Sequence, residues 1–173
     1  MIINTVTGAC GKVTPTNTSP RCLRKTCGLH KARNKRGDQM RFIHIADLHL
    51  GSSPEAEFLW GKNRAEEIWD SFAAVIDACN EKEIDLLLIA GDLFDRPPVW
   101  ADLDRAAKLF ARLTATEVVM IAGASDYITE DSPWKTYPWQ SWVHMLSDKH
   151  CMNVQLGNIN TSVHGCSYYG PTE

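Results

Sequence analysis

The sequence contains 173 residues, of which 44 % are hydrophobic and 23 % are charged, and this composition is ordinary for one globular domain. Its longest apolar runs are far shorter than the ~18 residues that a membrane-spanning helix needs, and the N-terminus lacks the apolar core of a secretory signal. These features exclude fibrous and membrane-spanning classes. We therefore expect a cytoplasmic protein that does not associate with a membrane.

Basic and acidic residues are distributed unevenly along the chain. Residues 1–39 hold 8 of the 18 Lys and Arg residues, while Asp38 is their only acid, so 10 basic and 20 acidic residues remain from Met40 onward. This first segment has neither helical nor strand periodicity, and we interpret residues 1–39 as a disordered basic extension, with a nucleic-acid-binding arm as the alternative. Because the ordered pattern opens at Met40, we expect this Met to be the natural first residue. The acidic body should not attract DNA through its overall field.

The ordered region begins with a predicted strand and a predicted helix. RFIHIA, residues 41–46, is typical of a buried strand, and His44 within it is expected to be a hydrogen-bonded core histidine. A helix is predicted from about Asn63 to Lys82, because apolar residues recur there with helical spacing. Asn63 and Glu66 form a predicted capping box at its start. The apolar face of this helix should cover a sheet.

Two further strands follow, and a second helix separates them. DLLLIA is followed by Gly91 and EVVMIA by Gly123, while residues 103–113 show the apolar spacing of a helix. Continuous apolar strands that alternate with amphipathic helices indicate a parallel sheet that is covered on both faces. Ligands of such sheets bind beyond the carboxyl ends of the strands. The loops DLH, GDLFD and GASD are therefore the candidate site.

Three side chains in these loops are suited to bind a metal ion. Asp47 and His49 follow the first strand with one residue between them, and Asp92 follows the second strand directly after Gly91. Carboxylate oxygen and imidazole nitrogen are suitable donors for Mn²⁺, Fe²⁺ or Zn²⁺, and Asp92 lies where a carboxylate can bridge two ions. An isolated D-x-H is also compatible with an ordinary loop or a helix cap. The GDLFD loop, with its buried-looking Phe94, is the more specific signal.

The segment SPWKTYPWQSWVHML, residues 132–146, concentrates aromatic side chains near Lys135. Aromatic residues next to a cation can stack the bases of a single-stranded nucleic acid. We favour packing for this segment, because Trp and Tyr side chains dominate core burial. MNVQL and SVHGCSYYG, which follow, are interpreted as later strands of the fold.

RFIHIADLHLG, DLLLIAGDLFDR and VVMIAGASDYI resemble the first three motif blocks of the calcineurin-like metallophosphoesterase superfamily. Within it they are most similar to the DNA repair exonucleases typified by the nuclease subunit of the bacterial SbcCD complex. The resemblance spans most of residues 40–173 and implies an α/β fold, a two-sheet α/β/β/α sandwich with a two-metal site. It also implies that the chain is the N-terminal portion of a longer catalytic domain, whose C-terminal part is missing.

The same resemblance implies roles for individual residues. Asp47 and His49 would ligate the first metal, and Asp92 would bridge both ions, with Mn²⁺ as the expected metal. The family's later ligands are a lone His and a Gly-His-x-His motif, and His144, His150 and His164 match neither. We therefore expect one bound ion or none, although the family holds two.

The third motif block departs from the family pattern. The family has Gly-Asn-His-Asp there; the Asn ligates the second metal, the His acts on the leaving group and the Asp orients that His. In this sequence Ala124 and Ser125 occupy the Asn and His positions, and Asp126 keeps the place of the orienting Asp. We thus expect no intact catalytic residue. Degeneration of the site, a substitute role for Ser125, and a longer natural protein that handles the metals differently all remain open.

The expected function is that of a metal-dependent phosphodiester hydrolase of the DNA repair exonuclease type, incomplete or catalytically impaired in this 173-residue chain. The resemblance implies DNA and an SMC-like ATPase subunit as partners, and a homodimer is a further arrangement to test. One alternative is a non-catalytic scaffold that binds nucleic acid or a protein partner. The other is a metallophosphoesterase that acts on small substrates.

Overall fold

The computed structural model describes residues 2–5, 40–55, 57–58, 61 and 63–170 of the chain. In this part, seven strands form two separate sheets and three helices accompany them. The elements, in chain order, are β1 (Ile2–Thr5), β2 (Phe42–Ile45), α1 (Arg64–Glu81), β3 (Leu86–Ala90), α2 (Trp100–Phe110), β4 (Glu117–Ile121), α3 (Pro133–Thr136), β5 (Val143–Met145), β6 (Met152–Leu156) and β7 (Thr161–Gly165).

Four strands form a parallel sheet in the order β2-β3-β4-β5. Phe42 lies opposite Leu86 at the start of the β2-β3 pair, and Leu86 lies opposite Glu117 at the start of the β3-β4 pair. The central strands β3 and β4 are covered on both faces, which explains their continuous apolar sequences. The predicted parallel α/β arrangement is confirmed.

The helices pack on one face of the parallel sheet. Phe72 of α1 and Phe110 of α2 are fully buried, and their rings meet edge to face with centroids 5.6 Å apart. Leu87 and Ile89 of β3 point into the same cluster. Burial of one such side chain stabilises the fold by roughly 1.5–3 kcal/mol. None of the helices in the described ranges combines the length and the hydrophobicity needed to cross a membrane.

The second sheet covers the other face. Its strands run antiparallel in the order β1-β7-β6. Leu86 and Leu88 of β3 alternate with the helix-facing residues and pack against Leu156 of β6 and Val163 of β7. The described residues thus form three layers of the expected sandwich. The helices pack on one face of the parallel sheet, and the antiparallel sheet packs on its other face.

The structure differs from the expected disorder of residues 1–39 at one place. Ile2–Thr5 forms β1, which pairs antiparallel with β7, so that Ile2 lies opposite His164. β1 pairs with the edge of β7 that faces away from β6, so that β7 is the central strand of its sheet. Residues 6–39, which the rest of that prediction and the basic-arm alternative concern, lie outside the described residues.

The prediction that His44 is a core histidine is wrong, because its side chain is exposed. His44 lies opposite Leu88 of β3, and both are on the same face of the parallel sheet. The antiparallel sheet covers this face at Leu88. β2 is an edge strand, however, and Phe42 on the same face is 50 % exposed. The antiparallel sheet therefore leaves this face of β2 open to solvent.

The aromatic segment packs into the core, as predicted. The Trp134 side chain is 1 % exposed, and its ring centroid lies 5.4 Å from that of Phe94 and 6.1 Å from that of Trp139. Its indole N–H donates to the backbone oxygen of Asp126 at 2.8 Å. These contacts tie the segment to the loops that follow β3 and β4.

The predicted capping box of α1 is not formed. Asn63 is the N-cap residue but makes no side-chain capping hydrogen bond. Glu66 instead accepts two hydrogen bonds from Arg105 of α2, at 3.2 and 2.5 Å. The hydrogen bond from the Arg105 guanidinium lowers the pKa of Glu66. Glu66 therefore pairs with a cation of the neighbouring helix instead of capping α1.

The start of α2 depends on Asp102, whose Oδ2 accepts the backbone N–H of Val99 at 3.0 Å. Asp102→Ala is expected to lower the free energy of unfolding by about 1 kcal/mol, because this helix-start hydrogen bond is lost. Asp102→Asn keeps an acceptor and should lose clearly less. Urea unfolding of the variants measures both values, and an Ala variant as stable as the wild type would contradict the capping role.

Candidate metal centre

Two loops at the carboxyl end of the parallel sheet hold key residues in the left-handed backbone region. Asp47 and His49, after β2, have φ values of 56° and 50°, and Asp92, after β3, has a φ value of 49°. Side chains other than glycine rarely adopt this region, and strain of order 1–3 kcal/mol is tolerated where the surrounding fold enforces it. All three predicted metal ligands share this conformation.

Two glycines allow the loops after β3 and β4 to approach closely. Gly91 has a φ value of 97°, and a Cβ atom there would lie 2.9 Å from the Cα atom of Gly123. A Cβ atom at Gly123 would lie 2.2 Å from Asp92 Oδ1 and 2.5 Å from the backbone nitrogen of Asp92. No larger residue fits at either position without a shift of the backbone. Asp92 is therefore held between the first and third loops.

Backbone hydrogen bonds join the loop after β2 to the loop after β3. They continue the pairing of the two strands, and an isolated bridge between Leu50 and Phe94, both buried, extends it further. The bonds run from Asp47 N–H to Gly91 O at 3.2 Å, from His49 N–H to Asp92 O at 3.1 Å, and from Leu50 N–H to Leu93 O at 2.8 Å. The two ligand-bearing loops consequently form one rigid unit.

The described part of the chain contains one cluster of His, Cys, Asp or Glu side chains with metal-ligand spacing. Asp47, His49 and Asp92 each offer a ligand atom within 4.8 Å of the other two. Asp47 is exposed and the other two are half-buried, so an ion can enter from solvent. The structure thus brings together all three residues that the sequence predicted.

The side chains of this cluster fit a divalent ion. His49 Nδ1 is buried and lies 3.2 Å from Asp95 Oδ1, but the approach does not meet hydrogen-bond geometry, and no other described residue bonds this nitrogen. No hydrogen bond to another described residue therefore holds the ring away from an ion. Two carboxylates and an imidazole are a suitable donor set for Mn²⁺, Fe²⁺ or Zn²⁺.

The third loop contributes a backbone donor instead of a ligand. Ala124 is exposed and has no ligating atom, while the backbone N–H of Ser125 donates to Asp92 Oδ1 at 2.8 Å. This contact fixes the orientation of the Asp92 carboxylate.

Asp126 is fully buried and links the second and third loops. Its Oδ1 accepts the backbone N–H of Gly123 at 2.6 Å, and its Oδ2 accepts the backbone N–H of Phe94 at 3.1 Å. Burial raises the pKa of this carboxyl group, although the two backbone hydrogen bonds act in the opposite direction. The sequence did not predict that Asp126 would join the two loops. Its one signal was an acidic residue directly before Tyr127 and Ile128.

A comparison with protein families identifies this constellation. A family model described as calcineurin-like phosphoesterase matches residues 40–167, a span that includes all three clustered ligands. The chain belongs to this family. Its members are phosphoesterases that use divalent metal ions, which agrees with the donor set, and the resemblance carried by the sequence motifs is confirmed.

Several curated relatives share the calcineurin-like phosphoesterase region. The DNA double-strand break repair protein Mre11 of Aeropyrum pernix is 32 % identical over 90 residues, 51 % of this chain and 21 % of that protein. Mre11 of Methanocaldococcus jannaschii is 34 % identical over 122 residues, 66 % of this chain and 31 % of that protein. The metallophosphoesterase YhaO of Bacillus subtilis is 31 % identical over 146 residues, 75 % of this chain and 34 % of that protein. The chain therefore spans about a third or less of the length of these relatives.

Three further histidines of this calcineurin-like phosphoesterase have partners away from the cluster. His144 Nε2 lies 2.9 Å from a carboxylate oxygen of Glu117. His150 Nδ1 lies 3.1 Å from Asp148 Oδ1, and His164 Nε2 lies 3.0 Å from the Ser162 hydroxyl. The structure does not bring any of the three to Asp47, His49 and Asp92.

Proposed function

We propose that this chain binds a single divalent metal ion, with Mn²⁺ as the expected ion, at Asp47, His49 and Asp92. The observation that carries the proposal is the convergence of these side chains within 4.8 Å at the carboxyl ends of β2 and β3. Membership of a family of metal-dependent phosphoesterases supports it. A single ion is proposed because Ala124 offers no ligand for a second one, and His144, His150 and His164 lie outside the cluster.

We further propose that the site is a phosphodiesterase site of the DNA repair exonuclease type. Support comes from the relatives in Aeropyrum pernix and Methanocaldococcus jannaschii that are named DNA double-strand break repair protein Mre11. DNA, an SMC-like ATPase subunit and a second copy of the chain are the proposed partners, and the cytoplasm is the proposed location. Because the region from Met40 onward has 20 acidic and 10 basic residues, DNA contact should depend on the bound metal.

The protein's own residues prepare the site for an ion. Asp47 and Asp92 supply negative charge, and His49 supplies a neutral nitrogen donor. The Ser125 N–H holds the Asp92 carboxylate in place, and Asp126 braces the loop that carries Ser125. A divalent ion held by Asp47, His49 and Asp92 would supply a Lewis acid to polarise a phosphodiester and to activate a water nucleophile. The ligand set is therefore organised by the fold before any ion arrives.

Hydrolysis by this chain alone should be slow. Removal of a general acid typically lowers the rate by about 10²- to 10⁴-fold, and here Ser125 stands where the family has its His. A serine hydroxyl is a poor acid, and the methyl group of Ala124 can neither ligate an ion nor donate a proton. The chain is thus proposed to bind metal and phosphodiester with little turnover.

The proposal predicts that Mn²⁺-dependent cleavage of end-labelled DNA by the wild-type chain will not exceed that of Asp92→Ala. The double variant Ala124→Asn/Ser125→His restores the family residues and is expected to cleave roughly 10²-fold faster than the wild type. The same double substitution combined with Asp92→Ala is the matched control and should be inactive. Gel assays of single- and double-stranded substrates measure all four proteins.

Other outcomes would favour other functions. Strong Mn²⁺-dependent cleavage by the wild type, lost in Asp92→Ala, would contradict the proposed impairment. DNA binding that is unchanged by chelation would favour a non-catalytic scaffold. Turnover of small chromogenic phosphodiesters without cleavage of DNA would favour a small-substrate phosphoesterase.

A further inference from the structure

A third carboxylate, which is outside the metal cluster, lies beside the imidazole of His49. Asp95 Oδ1 lies 3.2 Å from His49 Nδ1, and the side chains are 46 % and 37 % exposed. Nδ1 itself is buried, and apart from Asp95 no described residue offers it a polar contact. Asp95 is not part of the cluster that Asp47, His49 and Asp92 form. It therefore approaches the ring without joining the converging ligand atoms.

The backbone holds Asp95 in this position. The Asp95 N–H donates to the backbone oxygen of Leu50 at 3.2 Å, and the Leu50 N–H donates to Leu93 at 2.8 Å. The His49 N–H is bonded in the same ladder to the oxygen of Asp92 at 3.1 Å. The backbone therefore holds residue 95 beside Leu50, the residue that follows His49.

We propose that Asp95 is a positioning residue for His49. Its carboxylate accepts the Nδ1 proton of the neutral imidazole, after a small ring rotation, and so presents the lone pair of Nε2 to the metal. A carboxylate that bonds the second ring nitrogen fixes the tautomer and orientation of a ligating histidine and raises its basicity. The inference rests on the proposed metal site and adds to it the residue that selects the ligating nitrogen.

Three variants of the full chain test this assignment. Asp95→Ala is expected to weaken Mn²⁺ binding, measured by calorimetric titration, by about 10- to 100-fold. Asp95→Asn retains an acceptor oxygen and should be weakened less than the Ala variant. Asp131→Ala, at an exposed carboxylate before α3, is the matched control and should bind as the wild type does.

Nitrogen NMR of the metal-free proteins supplies a second readout, which does not require an ion. The His49 ring, assigned by its absence in His49→Gln, should be protonated at Nδ1 in the wild type and in Asp95→Asn. In Asp95→Ala it should become a mixture of tautomers. Unchanged tautomers, or an affinity for Mn²⁺ within about twofold of the wild type, would overturn the proposal. A loss of affinity without a tautomer change would also overturn it, because Asp95 would then be a direct ligand.

The two proposals fail in distinguishable ways. If the wild-type chain binds no Mn²⁺, the proposed metal site is wrong, whatever the tautomer of His49. If the wild type binds Mn²⁺ and Asp95→Ala changes neither affinity nor tautomer, the metal site stands and only the positioning role is lost.

Discussion

Asp92→Ala is expected to abolish divalent metal binding by this chain. The cluster has three ligand-bearing side chains, and the loss of Asp92 leaves one carboxylate and one imidazole. The loss of an outer-shell partner already weakens metal binding by about 10- to 100-fold, so the loss of a direct ligand should have at least that effect. The removed negative charge weakens the attraction of the site for a cation as well.

A structural effect accompanies the loss of Asp92, and it can be separated from the loss of the ligand. The Ala variant leaves the Ser125 N–H without its acceptor. Because this hydrogen bond is only part-buried, its loss should destabilise the fold by less than the ~1–3 kcal/mol of a fully buried donor. Asp92→Asn retains an acceptor for Ser125 but removes the charge. It should unfold like the wild type in EDTA and still lose most of its affinity for Mn²⁺.

Calorimetric titration with Mn²⁺ at neutral pH measures both variants, and Asp131→Ala controls for the removal of an exposed carboxylate. The wild type is expected to bind one ion. Two tightly bound ions, both lost in Asp92→Ala, would show that other groups compensate for Ala124. Wild-type affinity in the Ala variant would contradict the assigned site.

Much of the site could be predicted from sequence, because the signals for it are local. β3 and β4 have continuous apolar sequences, which report burial on both faces of a parallel sheet. Parallel strands bring their carboxyl ends to one edge, so the loops after them meet whatever the details of their packing. The convergence of Asp47, His49 and Asp92 follows from that geometry, and the structure shows it.

The incorrect predictions concern contacts between elements that are distant in sequence. His44 has the local pattern of a core residue, but β2 lies at an edge that the antiparallel sheet does not cover. Glu66 has the spacing of a capping residue, but it pairs with Arg105 of the other helix. The two backbone donors to Asp126, which the sequence did not indicate, come from two different loops. A local pattern cannot specify which neighbour a side chain meets once several elements pack together.

Asp126→Ala is expected to lower the free energy of unfolding by about 2–4 kcal/mol, because one buried and one part-buried backbone N–H group lose their acceptor. These donors belong to Gly123 and Phe94, which lie in different loops. The third loop should therefore separate from the loop that carries Asp92, and Mn²⁺ binding should weaken along with stability. Urea unfolding in EDTA measures the first effect without interference from the metal.

The pKa of Asp126 gives this prediction a pH dependence of known sign. Burial raises the pKa above its ordinary value of 3.8, so the folded protein binds the proton more tightly than the unfolded chain does. The contribution of this group to stability is then fully present below the unfolded pKa and declines as the pH rises through the folded pKa. Above the folded pKa the contribution is constant, because Asp126 is ionised in both states.

Asp126→Asn isolates the titration from the hydrogen bonds. The amide retains one acceptor oxygen for the two backbone donors, so the variant should be less destabilised than Asp126→Ala, and residue 126 no longer titrates. The stability of the wild type relative to Asp126→Asn should therefore decrease as the pH rises from about 4 through the raised pKa, and then level off. Asp131→Asn, in which the lost carboxylate is exposed, should show no such trend. An increase in the relative stability of the wild type with pH would mean that the backbone donors outweigh burial and that the pKa of Asp126 is lowered.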